Sequence, residues 1–176
     1  MMFKYIQNTF KHFKKICVHK YWVFYFCCKV GIPLQGLVHD LSKFSPTEFW
    51  ESVKYYGSSP IDACKKDKGW SAAWMHHKGR NKHHYEYWQD NFDNGGNPIE
   101  MPMRYKKEML CDYLGAVKAY YGKTFTYNKE LEWWKTKKNK PLAMHPKDIA
   151  FINKYINWLC DEPNEYVFNL IKREGR

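Results

Sequence analysis

The stretch GLVHDLSKFSPTE, residues 36–48, places two adjacent ionisable residues, His39 and Asp40, directly after the apolar side chains of a forming core. A charge that is buried without a partner is costly, so the pair predicts either a surface position or a cation between the two side chains. The segment SPTE, residues 45–48, has the capping-box pattern that begins a helix. The stretch therefore predicts a helical protein with a candidate cation site beside a helix start.

Helical periodicity continues on both sides of this stretch. Apolar residues three and four positions apart predict a long first helix, whose core-facing side is formed by Phe3, Ile6, Phe10, Phe13, Cys17, Tyr21, Phe24 and Cys28. Gly31 and Pro33 predict its end, and a short second helix is expected to carry the His-Asp pair. Further helices are predicted at about 46–56, 60–78, 101–122, 129–138, 146–160 and 165–172, with a turn region at 91–98. No stretch alternates as a strand would, so the sequence predicts an all-α fold.

Size and composition favour one folding unit. The chain has 176 residues, of which 44% are hydrophobic and 19% aromatic, and this is enough material for the core of a single domain. We expect a single-domain helical bundle with a metal site between its helices, a metal-site core at 10–122 and C-terminal helices at 123–176. The net charge of +11 favours an anionic partner, such as a nucleotide, nucleic acid or an acidic membrane surface, although simple solubility also explains it.

A membrane span and an oxidising compartment are not expected. The segment 21–38 is the best candidate for a span, but its unbroken apolar run covers only Tyr21 to Cys28 and is too short to cross a bilayer. We therefore expect a buried core helix there and no membrane partner. The six cysteines form no CxxC pair and have mostly apolar neighbours, which predicts reduced, buried thiols in a cytoplasmic protein.

The histidines are concentrated in one part of the chain. Four of the eight fall within residues 76–84, namely His76, His77, His83 and His84. Imidazole is the commonest metal ligand, and a metal explains how four neutral rings can lie so close together, whereas a solvated polar loop is the alternative. His19 on the first helix and Asp112 in an apolar helical segment are further candidates. Alone, His19 is compatible with a hydrogen-bonded core residue, and Asp112 with a helix surface.

The order of these residues resembles the HD superfamily of metal-dependent phosphohydrolases. That superfamily has a lone histidine, a His-Asp doublet and a distant aspartate on consecutive helices, and its two-metal branch adds two histidine positions before the aspartate. The segment HDLSK is similar to the HDxxK of HD-GYP-type cyclic-dinucleotide phosphodiesterases, but no Gly-Tyr-Pro motif is present, so that substrate is not implied. The longer string GLVHDLSKFSPTEFW resembles an uncharacterised HD-related family of small bacterial and phage-encoded proteins.

The resemblance implies a pair of metal ions. One ion would be held by four side chains: His19, His39, Asp40 and Asp112. Asp40 would bridge to a second ion held by one histidine of each later pair. His77 and His83 are the favoured ligands, with His84 as a third ligand or an outer partner. His76 would then form a hydrogen bond or pack nearby.

The implied chemistry is hydrolysis through a metal-activated water. Mixed imidazole and carboxylate ligands suit Fe, Mn, Zn, Ni or Co, and two such ions can activate water and neutralise phosphoryl oxygens. Asp40 and Lys43 are the expected catalytic residues, with Lys43 also touching a substrate phosphate. The other candidates are Arg80, Asn81 and Lys82 for substrate binding and Glu86 for orienting a ligating histidine. Each of these polar residues could equally be an ordinary solvated side chain.

Three functions remain open from the sequence. The leading hypothesis is a phosphohydrolase that acts on a nucleotide, a cyclic nucleotide or another small phosphoester. The second is a di-iron oxygenase on the same scaffold, as in some relatives of the HD fold. The third is a basic helical nucleic-acid-binding protein with a structural metal, for which the stretch WWKTKKNK at 133–140 is a candidate contact. The sequence does not define the oligomeric state.

Overall fold

The computed structural model describes residues 2–90, 93, 95–138 and 143–175. These residues form a helical bundle, which confirms the all-α prediction. Nine α-helices lie within the described residues: α1 Met2–Lys29, α2 Pro33–Val38, α3 Pro46–Lys54, α4 Pro60–Lys68, α5 Ala72–Arg80, α6 Met103–Tyr121, α7 Tyr127–Lys138, α8 Pro146–Asp161 and α9 Asn164–Arg173. Short 3₁₀ helices span Leu41–Phe44, Tyr85–Tyr87 and Gly122–Thr124. A two-residue strand β1, Gln89–Asp90, pairs antiparallel with β2, Asn97–Pro98, around the predicted turn.

Two parts of the predicted segments lie outside the described residues. In the turn region these are residues 91, 92 and 94, and in the basic aromatic stretch at 133–140 they are 139 and 140. The helices predicted from about 101, 129, 146 and 165 correspond to α6, α7, α8 and α9. The helix predicted over 60–78 is wrong, because two helices replace it. Gly69, at φ 81°, ends α4, and the Ser71 hydroxyl accepts a hydrogen bond from Trp74 N at the start of α5.

The core lies between α1, α6 and the C-terminal helices. Gly115 of α6 allows the α1 backbone to approach closely, since a Cβ atom there would lie 2.5 Å from Cγ2 of Val23. The fully buried side chains around this contact include Phe26, Leu114, Trp134 and Ile156. Because α1 and α6 cross closely here, the positions of His19 on α1 and Asp112 on α6 are fixed relative to each other.

The predicted core face of α1 is wrong. The side chains at 3, 6, 10, 13, 17, 21, 24 and 28 are exposed, whereas the buried side of α1 is formed by His12, Ile16, Val23, Phe26 and Cys27. Both sets follow helical spacing, and α6 packs against the second set at Val23, where Gly115 has no side chain to keep the two helices apart. Cys17 and Cys28 are therefore exposed thiols, contrary to the prediction that the cysteines are buried.

The lengths and hydropathy of the helices bear on membrane insertion. Among the residues that the structure describes, no helix is long and apolar enough to cross a bilayer.

Candidate metal centre

The His-Asp doublet lies in a turn, not on a helix as predicted. α2 ends at Val38, and Asp40 adopts the left-handed backbone conformation with φ 54°. It is the one non-glycine residue with positive φ in the described part of the chain. This conformation costs on the order of 1–2 kcal/mol for a non-glycine residue. In return, the turn directs both side chains inward, where each residue is only 1% exposed. Lys20 stabilises the turn by donating a hydrogen bond to the His39 carbonyl.

A first group of ligand atoms gathers on one side of Asp40. Nε2 of His19 lies 3.5 Å from Asp40 Oδ2 and 3.1 Å from Asp112 Oδ1. Nε2 of His39 lies 3.2 Å from the same oxygen of Asp40 and 3.4 Å from the same oxygen of Asp112. Three separate elements, α1, the turn after α2, and α6, thus direct four ligand atoms to one point.

A second group gathers on the opposite side of Asp40. Oδ1 of Asp40 lies 3.5 Å from His77 Nε2 and 3.4 Å from His83 Nε2. Nε2 of His84 lies 2.9 Å from His77 Nε2 and completes the group. The structure therefore brings together all seven residues that were expected to bind metal, with one oxygen of Asp40 facing each group.

Several of these buried atoms lack any hydrogen-bond partner in the described part of the chain. They are Nε2 of His19, His39 and His83 and both carboxylate oxygens of Asp40, although Lys43 Nζ lies 2.6 Å from Asp40 Oδ2. Buried polar atoms are usually paired, because an unpaired one loses its hydration without compensation. Imidazole nitrogens and carboxylate oxygens that converge without partners fit divalent transition metals.

Glu108 of α6 fixes the orientation of two histidines at once. Its Oε1 accepts from Nδ1 of His39 at 2.9 Å and from Nδ1 of His83 at 3.1 Å. Gln35 donates to the other oxygen at 2.6 Å. A histidine that donates through Nδ1 presents an Nε2 lone pair, so Glu108 prepares both rings as metal ligands. Because His39 belongs to the first group and His83 to the second, this carboxylate connects the two groups.

Glu48 has the same role for the second group alone. Its Oε2 accepts from Nδ1 of His77 at 2.8 Å, and its Oε1 accepts from Nδ1 of His76 at 2.7 Å. His76 is absent from both groups of ligand atoms and, as predicted for it, forms a hydrogen bond. Glu86 lies behind His84, with Oε2 3.7 Å from its Nδ1. The histidines of the second group are thus backed by carboxylates.

Electrostatics keep the central carboxyl groups ionised. Burial raises the pKa of Asp40, but His39 and Lys43 outweigh this effect and hold the pKa well below its usual range. For Asp112, burial is likewise outweighed by the nearby imidazole rings of His19 and His39, so its pKa is also well below the ordinary value. Burial opposes ionisation of Glu108 as well, but hydrogen bonds from the two histidines lower its pKa to about 2. The carboxylate oxygens of the centre are therefore negatively charged at neutral pH.

A cleft of about 790 Å³ opens onto the centre. It reaches His19, His77, His84 and Asp112, and Lys43 is also part of its wall. Its walls also carry the basic side chains Lys11, Lys14 and Lys15 and the apolar side chains Ile61, Trp74, Ala116 and Tyr120. The cleft thus combines access to both groups of ligand atoms with positively charged walls.

The remaining predicted substrate contacts occupy other positions. Asn81 donates to Ser42 Oγ at 2.7 Å and to the His77 carbonyl at 2.8 Å, so it supports the second group from behind. Arg80 and Lys82 are exposed and are not among the cleft-lining residues. Nζ of Lys82 lies 5.6 Å from the centre of the Tyr87 ring. Lys43 is therefore the predicted substrate-binding residue that faces both the cleft and the centre.

Sequence reasoning overlooked Glu108 and assigned Glu48 only a capping role. Ser45 Oγ does accept from Glu48 N at 3.4 Å, but the Glu48 side chain turns away from the helix start to the histidines. The available signal for Glu108 was its position four residues before Asp112 on one helix. Residues four apart share a helix face, so a second buried acid beside Asp112 could have been inferred.

The comparisons with known proteins identify a family but no activity. No curated protein and no solved structure matches the chain. A family model matches residues 8–158 and so spans α2 to α7, most of α1 and α8, and every residue of the candidate centre. The chain therefore belongs to the family of unknown function DUF5662.

Proposed function

We propose that this protein is a metal-dependent phosphohydrolase of the HD type that hydrolyses a small phosphoester, such as a nucleotide or a cyclic nucleotide. The observation that carries the proposal is the position of Asp40. Its Oδ2 faces His19 and His39, whereas its Oδ1 faces His77 and His83. A carboxylate with one oxygen toward each of two nitrogen-rich groups fits a bridging ligand between two cations.

The ligand chemistry indicates which ions would fit. His19, His39 and Asp112 would hold the first ion and His77, His83 and His84 the second, with Asp40 shared. The nitrogen and oxygen donors suit Fe, Mn, Zn, Ni or Co. When bound, two such ions would act as Lewis acids and would lower the pKa of a bound water molecule, so that it ionises near neutral pH. All six cysteines are unpaired, which supports a reducing, cytoplasmic location.

The basic side chains of the cleft support a phosphoester substrate. Asp40 raises the pKa of Lys43 and outweighs the opposing effect of burial, so this lysine remains charged beside the centre. Lys15 has no acidic partner in the described part of the chain, and burial together with Lys43 lowers its pKa. An ammonium group without an acidic partner, Lys15, near the ion-paired ammonium group of Lys43 favours an anion in the cleft. Lys43 is placed to bind a phosphoryl oxygen, and Lys15 also lines the cleft.

Elemental analysis together with a phosphoester screen tests this proposal. The protein as purified is expected to contain close to two transition-metal ions per chain and to hydrolyse p-nitrophenyl phosphate or bis-p-nitrophenyl phosphate. Lys43→Ala is expected to keep the metal and to lower kcat/KM about tenfold or more, because a charge-assisted hydrogen bond is worth roughly 1.5–3 kcal/mol. Lys66→Ala, an exposed lysine of α4 outside the cleft, is the matched control and should retain the wild-type rate.

Three results would contradict the proposal. The first is a protein that contains no transition metal, either as purified or after incubation with each candidate ion. Without bound metal, the proposed hydrolysis has no source of activated water. Consumption of O₂ with an organic substrate, without phosphoester turnover, would assign the centre to a di-iron oxygenase. Strongly salt-dependent DNA binding without any turnover would favour the nucleic-acid-binding alternative.

A further inference from the structure

The outer face of α1 is an extended apolar surface. We define the α1 apolar face by eight exposed residues: Phe3, Ile6, Phe10, Phe13, Cys17, Tyr21, Phe24 and Cys28. Phe3 is 73% exposed and Phe10 is 71% exposed. Single exposed apolar side chains are ordinary, but a continuous row of them marks a surface that interacts with something. The row runs along the 28 residues of α1, a length of about 42 Å at 1.5 Å per residue.

The segment after α1 continues this surface. Leu34, Leu37, Val38, Leu41 and Phe44 are all exposed, and the ring of Phe44 lies 5.9 Å from that of Phe13. Gly36 of α2 packs against Cys27 and the Phe24 backbone, which places α2 directly beside the face. The apolar surface therefore extends over two helices and a 3₁₀ turn, on the outside of the bundle.

The segment that forms this surface carries charge of nearly one sign, and Lys29 at the end of α1 is paired with Glu165 of α9. Residues 2–44 contain seven lysines, and their single acidic residue, Asp40, is buried in the metal centre and only 1% exposed. Lys14 and Lys20 flank the α1 apolar face on its two sides, as their positions on the helix require. A second copy packed on the same face would bring these lysines against one another, which opposes self-association. An anionic partner is complementary to the surface.

We propose that the α1 apolar face docks onto an anionic phospholipid surface. A helix with aromatic and aliphatic side chains on one side and lysines around them can lie in the plane of a bilayer interface, with its apolar side among the acyl chains. Exposed lysines beside the face, such as Lys14, reach the negatively charged headgroups and add electrostatic attraction. Such docking needs no spanning segment. It also needs no pocket, which suits a face on the outside of the bundle. It uses none of the metal-centre ligands, so it is independent of the proposed hydrolase activity.

Vesicle co-sedimentation of the full chain tests the docking. The wild-type protein is expected to sediment with vesicles of phosphatidylcholine containing about 30 mol% phosphatidylserine and to remain in the supernatant with pure phosphatidylcholine. The double variant Phe3→Ser/Phe10→Ser should lower the partition coefficient about tenfold or more, because two buried aromatic contacts with lipid are lost. Leu34→Ser/Leu37→Ser, on a different element, should also weaken binding. The matched control is Tyr166→Ser on α9, a side chain that is 55% exposed, and it should bind as the wild type does.

Two outcomes would overturn the docking proposal. Equal weakening by Tyr166→Ser would show that binding does not depend on this face. The second outcome is a wild-type protein that does not bind anionic vesicles but forms a dimer. If Phe3→Ser/Phe10→Ser converts that dimer to monomer, the face binds a second copy of the chain. Circular dichroism of each variant shows whether its helices are intact, so a loss of binding can be attributed to the face itself.

Discussion

Asp40 and Asp148 are both buried carboxylates, but their charges are balanced in different ways. Asp148, in the first turn of α8, has Lys106 Nζ 3.1 Å from its Oδ1 and the Met101 amide 3.2 Å from its Oδ2. Lys106 in turn contacts Glu100 at 2.7 Å. Asp40 has Lys43 at 2.6 Å, but four imidazole nitrogens also lie within 3.5 Å of its oxygens. The Asp148 carboxylate is thus paired with a lysine and a backbone amide, whereas the Asp40 carboxylate is surrounded by further atoms that could bind a metal ion.

The surrounding histidines explain this difference. Burial raises the pKa of Asp148 despite Lys106, as expected for a carboxylate with a single cationic partner. The pKa of Asp40 is instead well below its usual range, because several positive or hydrogen-bonding groups face it. Nothing in the Asp148 pair requires an ion. Three of the four imidazoles around Asp40 are oriented by Glu108 and Glu48 so that their free nitrogens converge, which is the arrangement that a metal ion needs.

The largest expected effect comes from removing the two carboxylates in turn. Asp40→Ala should abolish binding of both metals, since it removes the ligand shared by both groups, while helicity is retained. Asp148→Ala should leave the metal content unchanged but destabilise the fold by about 1–3 kcal/mol, because the buried Met101 amide loses its acceptor and Lys106 keeps only Glu100 as a partner. Elemental analysis and urea denaturation of both variants measure the two effects. A full complement of metal in Asp40→Ala would refute the bridging role.

A smaller effect should separate Glu108 from Glu48. Glu108→Gln is expected to weaken binding of both ions by roughly 10–100-fold, the usual range for a residue behind a metal ligand, because it supports His39 and His83. Glu48→Gln should weaken the binding of the second ion alone, because His77 belongs only to the second group. Competition with a metallochromic chelator measures both affinities separately. Equal behaviour of the two variants would show that Glu108 does not connect the groups.

The sequence predicted which residues come together in the centre better than it predicted their surroundings. His19, His39, Asp40 and Asp112 were identifiable because their order along the chain resembles a known series. The exposed face of α1 was not identifiable, because α1 carries two apolar rows with the same spacing. Gly115, nearly a hundred residues away, selects the row that contains Ile16 and Val23. The position of His19 was a clue in the sequence, since it lies three residues after Ile16 and four before Val23 and so shares their side of the helix.

The local backbone conformation explains which other features could be predicted from the sequence and which could not. The break between α4 and α5 needs only Gly69 and the Ser71 cap, and both signals were present in the sequence. The left-handed turn at Asp40 had no such signal, because an aspartate in this conformation is held there by its contacts. Glu108 was hidden for a similar reason. A glutamate in an ordinary helix reveals its role only when two histidines from distant segments are seen to meet it.

Glu130 of α7 offers a third kind of buried carboxylate, and it has the smallest expected effect. It is fully buried, and neither of its oxygens has a hydrogen-bond partner among the described residues. Burial and the nearby charge of Asp112 raise its pKa to about 8, while Lys137 opposes this shift. Unlike Asp40 and Asp148, it is expected to be largely protonated at neutral pH.

This protonation makes stability depend on pH in a defined direction. The unfolded chain releases the Glu130 proton near its ordinary pKa of 4.5, whereas the folded chain retains it up to about pH 8. The free energy of unfolding should therefore fall as pH rises between these values, by at most about 1.4 kcal/mol per pH unit from this group. Glu130→Gln removes that dependence, so the wild type should lose about 1 kcal/mol relative to the variant between pH 6.5 and 7.5. Urea denaturation at the two pH values, with metal retained, measures this difference, and parallel behaviour of both proteins would show that Glu130 is ionised in the fold.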